Sequence, residues 1–182
     1  MYRYIKGGIK MNKKIKNIVY TSLAVALVTV ATMIIRIPSP KMGYINFGDI
    51  MIFITAAILG RRIGFVAGGL GSAIADILGG YFIYSPATFI IKGLEGLIFA
   101  VLIKKDVDGN LRSTSIVIAS IVAGMWMVLG YFIYEYFMFG IGNAYPNVPA
   151  NMIQAGVSAA AAIPIVIAAQ KTGITLKLRI DR

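Results

Sequence analysis

Histidine and cysteine are absent from this sequence, and charged residues make up only 14% of its 182 positions. These absences exclude disulfides, thiol nucleophiles, histidine bases and the common zinc ligands. No glycine-rich phosphate-binding loop ending in Lys-Ser or Lys-Thr occurs either. We therefore expect a protein that is not an enzyme and that uses no cofactor and no metal site.

Long apolar runs dominate what is present, because 58% of the residues are hydrophobic and the mean hydropathy is +0.80. Soluble domains rarely exceed an apolar content of about half. The net charge of +11 comes mostly from short tails and loops between the apolar runs, which is typical of membrane orientation rather than of nucleic-acid binding. The composition predicts an all-α membrane protein with no nucleic-acid partner.

Six runs fit helices that cross a bilayer, since a span needs about 20 apolar residues. We predict helices at 17–36, 49–60, 63–80, 87–103, 114–139 and 150–170. They form one transmembrane bundle, 17–170, between two basic tails at 1–16 and 171–182. The native start, Met1 or Met11, stays open.

Two proline-containing segments are predicted to be irregular, because proline removes a helical hydrogen bond. The segment 140–149 is expected to be a loop. The segment 37–48 is long and apolar, so we expect it to fold into the protein beside the ligand, with Asn46 as a contact. An ordinary loop at the membrane interface is the alternative.

Lysine and arginine set the predicted orientation. Fifteen of the 18 lie in the two tails, at Arg61 and Arg62, or between 104 and 112, whereas only Arg36 and Lys41 fall on the opposite side. The positive-inside rule then places both termini in the cytoplasm. We expect a multi-pass protein of the cell membrane.

Five ionisable residues lie in or at the ends of the spans, all toward the outer side: Asp49, Asp76, Lys92, Glu95 and Glu135. A charge in hydrocarbon costs about 2.5–3.5 kcal/mol, so such residues usually face protein or water. Asn151 and Gln154 open the last helix from the same side. The clustering predicts a polar cup that opens outward.

Simpler roles remain open for each charge. Lys92 and Glu95 can pair at i,i+3, and Asp76 can be a structural partner of Lys92. Asp49 can cap its helix, and Glu135 can reach the interface.

Aromatic residues favour a flat ligand. The intervals of four to five residues between Trp126, Tyr131 and Glu135 predict one shared helix face that stacks on a polar heterocycle and hydrogen-bonds it. Tyr84 is expected to line the pocket. Four outer acids against Arg36, Lys41 and Lys92 make the cup nearly neutral, which suits a neutral or weakly basic heterocycle.

Five short motifs carry a family resemblance: NFGD at 46–49, GRRIG at 60–64, ADILGGY at 75–81, YSPAT at 84–88 and IKGLEG at 91–96. They resemble the substrate-binding S components of energy-coupling factor (ECF) vitamin transporters. The similarity is closest to the branch linked to hydroxymethylpyrimidine and pyridoxine-type vitamins, and riboflavin-type members are also similar. A solo ion-coupled carrier and a non-transport scaffold are the remaining alternatives.

The resemblance implies partners as well as a pocket. It implies assembly with a transmembrane coupling subunit and two cytoplasmic ATPase subunits, which take up the captured vitamin or precursor. The family docks its coupling subunit through small residues on the first helix, which correspond here approximately to Ser22, Ala24 and Ala26. Lys92, Glu95 and Glu135 are then expected to hydrogen-bond the ligand. Asn151 and Gln154 are expected to orient it.

Overall fold

The computed structural model describes residues 12–39, 41, 43–106 and 110–172. In this part of the chain it contains six helices and one two-stranded sheet: α1 Lys13–Ile34, β1 Arg36–Pro38, β2 Tyr44–Asn46, α2 Gly48–Leu59, α3 Arg61–Leu78, α4 Ser85–Leu102, α5 Ser113–Phe139 and α6 Ile141–Lys171. The predicted helical bundle is therefore present, with one small sheet added. The choice of start residue and most of both predicted tails lie outside the described residues.

The last helix begins earlier than predicted. The expected loop at 140–149 is wrong, because α6 starts at Ile141 and contains Pro146 and Pro149. Those prolines withhold hydrogen bonds from the carbonyls of Gly142 and Tyr145. Both residues are exposed near the helix start, where water can satisfy the freed carbonyls. The helix therefore tolerates the prolines.

The segment after α1 forms a hairpin, comprising β1, β2 and their connection. The strands pair antiparallel, with Arg36 opposite Asn46 and Pro38 opposite Tyr44. The hairpin covers one end of the bundle, which we call the hairpin end. The α3–α4 turn and the α5–α6 junction lie at the same end.

Single glycines join two pairs of helices. Gly60 alone separates α2 from α3, and Gly140 alone separates α5 from α6. Their φ angles are +97° and +78°, a region that glycine enters without a Cβ clash. The chain therefore reverses direction at each position with no intervening loop.

Four of the six described helices are long and apolar enough to cross a membrane: Lys13–Ile34, Ser85–Leu102, Ser113–Phe139 and Ile141–Lys171. At 12 residues α2 is too short, since it rises only about 18 Å. The 18 residues of α3 include two arginines and many glycines. The structure thus supports four candidate spans where the sequence predicted six.

Small residues bring α3 and α4 close together. A Cβ on Gly68 would lie 2.4 Å from the carbonyl oxygen of Lys92, and one on Gly96 would lie 2.4 Å from that of Gly64. Backbones approach in this way only where side chains are missing. Behind this contact, Phe53 of α2 stacks on Phe99 of α4 with ring centroids 4.6 Å apart. The close packing fixes the position of Lys92 at the centre of the bundle.

Candidate functional site

A cavity of about 40 Å³ lies at the hairpin end, between the hairpin and helices α3 to α6. It is lined mainly by polar and tyrosine side chains. The lining residues are Ser39, Gly43, Tyr44, Asn46, Asp76, Tyr81, Tyr84, Thr88, Tyr131, Glu135, Asn151 and Gln154. Such a lining inside an apolar bundle marks the position where a polar solute could be held.

Asp76 anchors one wall of the cavity. The Tyr44 hydroxyl donates to Asp76 Oδ1 over 2.6 Å, and the Arg36 guanidinium lies 4.8 Å from the centre of the Tyr44 ring. Arg36 also donates to the carbonyl of Ala75 near the end of α3, at 2.8 Å. Burial, followed by the nearby Asp76 carboxylate, raises the pKa of Tyr44, so the phenol remains a neutral donor. These contacts hold β2 against α3.

Glu135 anchors the opposite wall and is only 3% exposed. Its Oε1 accepts from the Tyr84 hydroxyl at 3.2 Å and from the Asn147 amide at 3.0 Å. The Ser39 hydroxyl donates to Asn147 Oδ1 at 2.6 Å. Burial, with a contribution from Glu135, raises the pKa of Tyr84, which therefore also stays protonated. The hairpin is thus connected to α6 as well as to α3.

Each wall carries a carboxylate oxygen without a partner. Asp76 Oδ2 and Glu135 Oε2 are both buried and have no hydrogen-bond donor among the described residues. An unsatisfied buried oxygen costs about 1–3 kcal/mol, and more when it is charged. These two atoms are therefore the strongest acceptors the cavity offers to a ligand.

An ion cluster of Asp49, Lys92 and Glu95 lies next to the cavity. The Lys92 ammonium bonds Asp49 Oδ1, and it reaches Glu95 Oε2 at 2.9 Å. All three side chains are at most 1% exposed. Gln154 connects the cluster to the hairpin, because it donates to Asp49 Oδ2 at 2.8 Å and accepts from the Asn46 backbone N–H at 2.9 Å.

Tyrosine rings form the remaining walls. The Tyr44 and Tyr81 centroids lie 4.7 Å apart, and those of Tyr81 and Tyr84 lie 6.5 Å apart. The Tyr131 hydroxyl is 3.1 Å from that of Thr88. Rings with neutral hydroxyls can stack on a flat ligand and hydrogen-bond its edge.

The structure gathers most of the predicted site residues around this cavity. Those that line it are Asn46, Asp76, Tyr84, Tyr131, Glu135, Asn151 and Gln154. Lys92 and Glu95, which were expected to touch the ligand, lie instead in the ion cluster. The Lys92 ammonium is 5.7 Å from the Tyr131 ring centre, so it adjoins the cavity through that ring.

Of the alternative structural roles expected for the charged residues, one is present and the others are not. The pairing of Lys92 with Glu95 is present. The cap of α2 is Phe47, and Asp49 in the first turn bonds Lys92 rather than the helix backbone. Asp76 bonds Tyr44 instead of Lys92. Glu135 is buried, so the interfacial position is wrong.

Trp126 departs from its predicted place. Its indole N–H donates to the carbonyl of Ile91 at 3.0 Å, and it is not among the cavity-lining residues. Helix geometry explains the error, because about 100° per residue places Trp126 roughly 140° from Tyr131 and roughly 180° from Glu135. Only Tyr131 and Glu135 share a face.

The sequence reasoning missed the following site residues: Ser39, Tyr44, Tyr81, Thr88 and Asn147. Asn147 could have been found, because it stands at i, i+4 and i+7 with Asn151 and Gln154 on one helical face. That pattern was hidden by the expected loop at 140–149.

The predicted docking residues on α1 face different surroundings. Ser22 and Ala26 are exposed, whereas Ala24 is 1% exposed and belongs to the core. Ser22 and Ala26 line an apolar groove whose other side is formed by Val66, Leu70 and Ile74 of α3. The exposed small-residue row on α1 therefore consists of Ser22 and Ala26.

Comparison with known proteins agrees with this architecture. A relative from Pyrococcus woesei, described as an uncharacterized protein in a gap 3' region, is 41% identical over 129 residues, which are 70% of this chain and 84% of that protein. A solved structure of the S component of a bacterial ECF transporter superposes with a TM-score of 0.62 at 18% identity, over 91% of this chain and 99% of the other. That likeness establishes the fold.

The family model described as "ECF-type riboflavin transporter, S component" matches residues 12–171. This match covers the hairpin, the cavity and all six described helices. S components are transport subunits rather than enzymes; they bind small vitamin ligands and work with transmembrane and ATPase subunits. The chain therefore belongs to the S components of ECF transporters.

Proposed function

We propose that this S component captures a planar nitrogen-heterocyclic vitamin or vitamin precursor from outside the cell. The observation that carries the proposal is the cavity itself, in which tyrosine rings flank two buried carboxylate oxygens without partners. A flat ring with N–H or O–H donors satisfies both features, because it stacks on the tyrosines and hydrogen-bonds the acids.

A single-ring pyrimidine or pyridine is the first ligand to test. The cavity volume of about 40 Å³ is nearer to one ring than to a three-ring flavin, and the first expectation from the sequence was hydroxymethylpyrimidine or a pyridoxine-like compound. Riboflavin is the second candidate because the matching family is described by it. Its binding requires the hairpin to move outward.

The orientation is part of this proposal. We place the hairpin end outside and both termini in the cytoplasm. Arg61, Arg62, Lys104, Lys105 and Arg112 all fall at the opposite end from the hairpin, as the positive-inside rule requires. In this arrangement α2 and α3 complete a six-span bundle, with the largely buried α2 shielded by its neighbours.

The coupling surface follows from the exposed groove between α1 and α3. We place the transmembrane coupling subunit against Ser22 and Ala26, where small side chains let a partner helix approach. Two cytoplasmic ATPase subunits would then supply the energy for uptake.

Calorimetry on the detergent-purified protein tests the ligand class. Hydroxymethylpyrimidine, pyridoxine and riboflavin are titrated into the unmodified chain, into Tyr131→Leu and into Tyr145→Leu. Tyr145 is a matched control because it is 68% exposed and lies outside the cavity. We expect one ligand to bind, Tyr131→Leu to weaken it, and Tyr145→Leu to leave it unchanged. If none of these three, and neither pyridoxamine nor thiamine, binds, the proposed function is wrong.

A further inference from the structure

The charges around the cavity do not balance. Two carboxylates, Asp76 and Glu135, line it, and among the described lining residues there is no lysine or arginine. The nearly neutral cup expected from the sequence counted Lys41, but Lys41 is exposed and is not a lining residue. The surroundings are therefore negative.

The two nearby cations, buried Lys92 and half-buried Arg36, are already engaged. Lys92 bonds both Asp49 and Glu95. The Arg36 guanidinium lies over Tyr44 and donates to Ala75. Around the cavity, among the described residues, four acidic side chains thus face two basic ones, so the balance of ionisable groups favours a cationic ligand.

Within the described part of the chain, Glu135 is the clearest case of an acidic side chain without a basic partner at the cavity. The two residues that donate to it are Tyr84 and Asn147, which are both neutral. Its second oxygen is buried without a partner at the cavity wall. A buried carboxylate is stable when a cation compensates it, and this wall leaves that position to the ligand.

We infer that the cavity selects a ligand bearing a positive charge, with its cationic nitrogen placed against Glu135 Oε2. The inference rests on the proposed function and narrows its substrate class to protonated or permanently cationic heterocycles. The rings of Tyr84 and Tyr131 beside Glu135 suit this charge, because tyrosine faces attract cations. Phosphorylated and carboxylated heterocycles are excluded by repulsion from the same acids.

Ligands that share one pyridine ring and carry different charges test the inference on the unmodified protein. Pyridoxamine carries a cationic amine, pyridoxine has no such amine, and pyridoxine 5′-phosphate is anionic, all on one ring. The permanent cation thiamine and the neutral riboflavin extend the series. We expect cationic members to bind about 10- to 100-fold more tightly than neutral ones, with no binding of the phosphate.

Two variants separate charge from shape. Glu135→Gln keeps the shape of the side chain and should reduce the preference of cation over neutral ligand to about onefold, because the cation loses its charged partner. Asp106→Asn makes the same charge change at an exposed acid in the α4–α5 loop and should leave the preference intact. A melting temperature close to that of the unmodified protein shows that Glu135→Gln is folded.

The possible results separate charge selection from the proposed vitamin-binding function. Equal or tighter binding of riboflavin or pyridoxine than of the cations would overturn charge selection and leave the vitamin-binding function standing. An unchanged preference in Glu135→Gln would overturn the role of Glu135. Failure of every compound to bind would overturn both.

Discussion

The side-chain amide of Gln154 donates to the carboxylate of Asp49 at 2.8 Å, which joins α6 to the first turn of α2. The same side chain accepts from the Asn46 backbone N–H at 2.9 Å. One residue therefore connects the hairpin, the ion cluster and the cavity. A displacement of the hairpin changes the surroundings of Asp49 through this amide.

Replacing Gln154 with alanine should weaken ligand binding and lower the melting temperature. Both the Asn46 N–H and Asp49 Oδ2 would lose a partner in a buried site, and each loss costs about 1–3 kcal/mol. Gln170→Ala is the matched control, since Gln170 lies on α6 near its opposite end. Calorimetry and thermal unfolding check both effects. Equal affinities for the two variants would contradict the bridging role of Gln154.

Removing the charge of Lys92 should destabilise the protein strongly. Lys92→Met leaves Asp49 and Glu95 buried without their cation, and breaking a buried pair on one side costs about 3–5 kcal/mol. The triple variant with Asp49→Asn and Glu95→Gln removes all three charges and should recover part of the lost stability. Thermal unfolding in detergent measures this difference. A triple variant less stable than Lys92→Met would refute the electrostatic explanation.

Gly68→Ala should also lower stability, for a steric reason. The added Cβ would lie 2.4 Å from the Lys92 carbonyl oxygen, so α3 and α4 must separate. Gly156→Ala is the control, because an added Cβ there meets no atom within 4 Å and alanine improves helix propensity by about 1 kcal/mol. We expect a fall in melting temperature for the first variant and no fall for the second. Similar melting temperatures would contradict the close packing.

The natural absence of cysteine allows a clean cross-linking test of the hairpin. Ser39 and Asn147 are in direct contact, with Ser39 Oγ and Asn147 Oδ1 2.6 Å apart. The double variant Ser39→Cys, Asn147→Cys should exchange ligand when reduced and stop exchanging it when oxidised, because the hairpin is then fixed to α6. A radiolabelled-ligand exchange assay checks this. Ligand exchange that is insensitive to oxidation would show that entry bypasses the hairpin.

Ala26→Trp should separate ligand capture from uptake. The indole would fill the α1–α3 groove and block the coupling subunit, while the distant cavity keeps its affinity. Leu129→Trp is the control, at a 52% exposed position on α5. We expect uptake to be lost only in Ala26→Trp, with calorimetric binding unchanged in both. Uptake by the S component alone, without coupling or ATPase subunits, would instead support a solo carrier.

Helix order and most boundaries could be predicted because long apolar runs and basic loops dominate this sequence. The start of α6 could not, since Pro146 and Pro149 normally indicate irregular structure and only their exposed position near the helix start permits the helix. The hairpin was expected to be irregular and near the ligand, and its position over the cavity is held by contacts between residues distant in sequence, such as Asn46 with Gln154.

The sequence predicted which residues belong to the candidate site better than it predicted how those residues contact one another. The excess of polar residues on one side identified Asp76, Glu135 and Gln154. The pair of Lys92 with Glu95 was predictable from its i,i+3 spacing, but Asp49 as the second partner of Lys92 was not, because it joins them only when α2 packs on α4. Trp126 was assigned to the site wrongly. Its spacings of five residues to Tyr131 and four more to Glu135 add up to a rotation of about 180°, which places it on the opposite side of the helix from Glu135.

The single-glycine junctions at Gly60 and Gly140 have a mechanical consequence. A junction of one residue leaves the two helices that it joins little room to slide apart at that end, so we expect α2 with α3 and α5 with α6 to move together. The residues between α1 and α2 are the longest connection at the hairpin end. We therefore expect admission and release of a solute at that end to involve movement of this connection rather than rearrangement of the helix pairs.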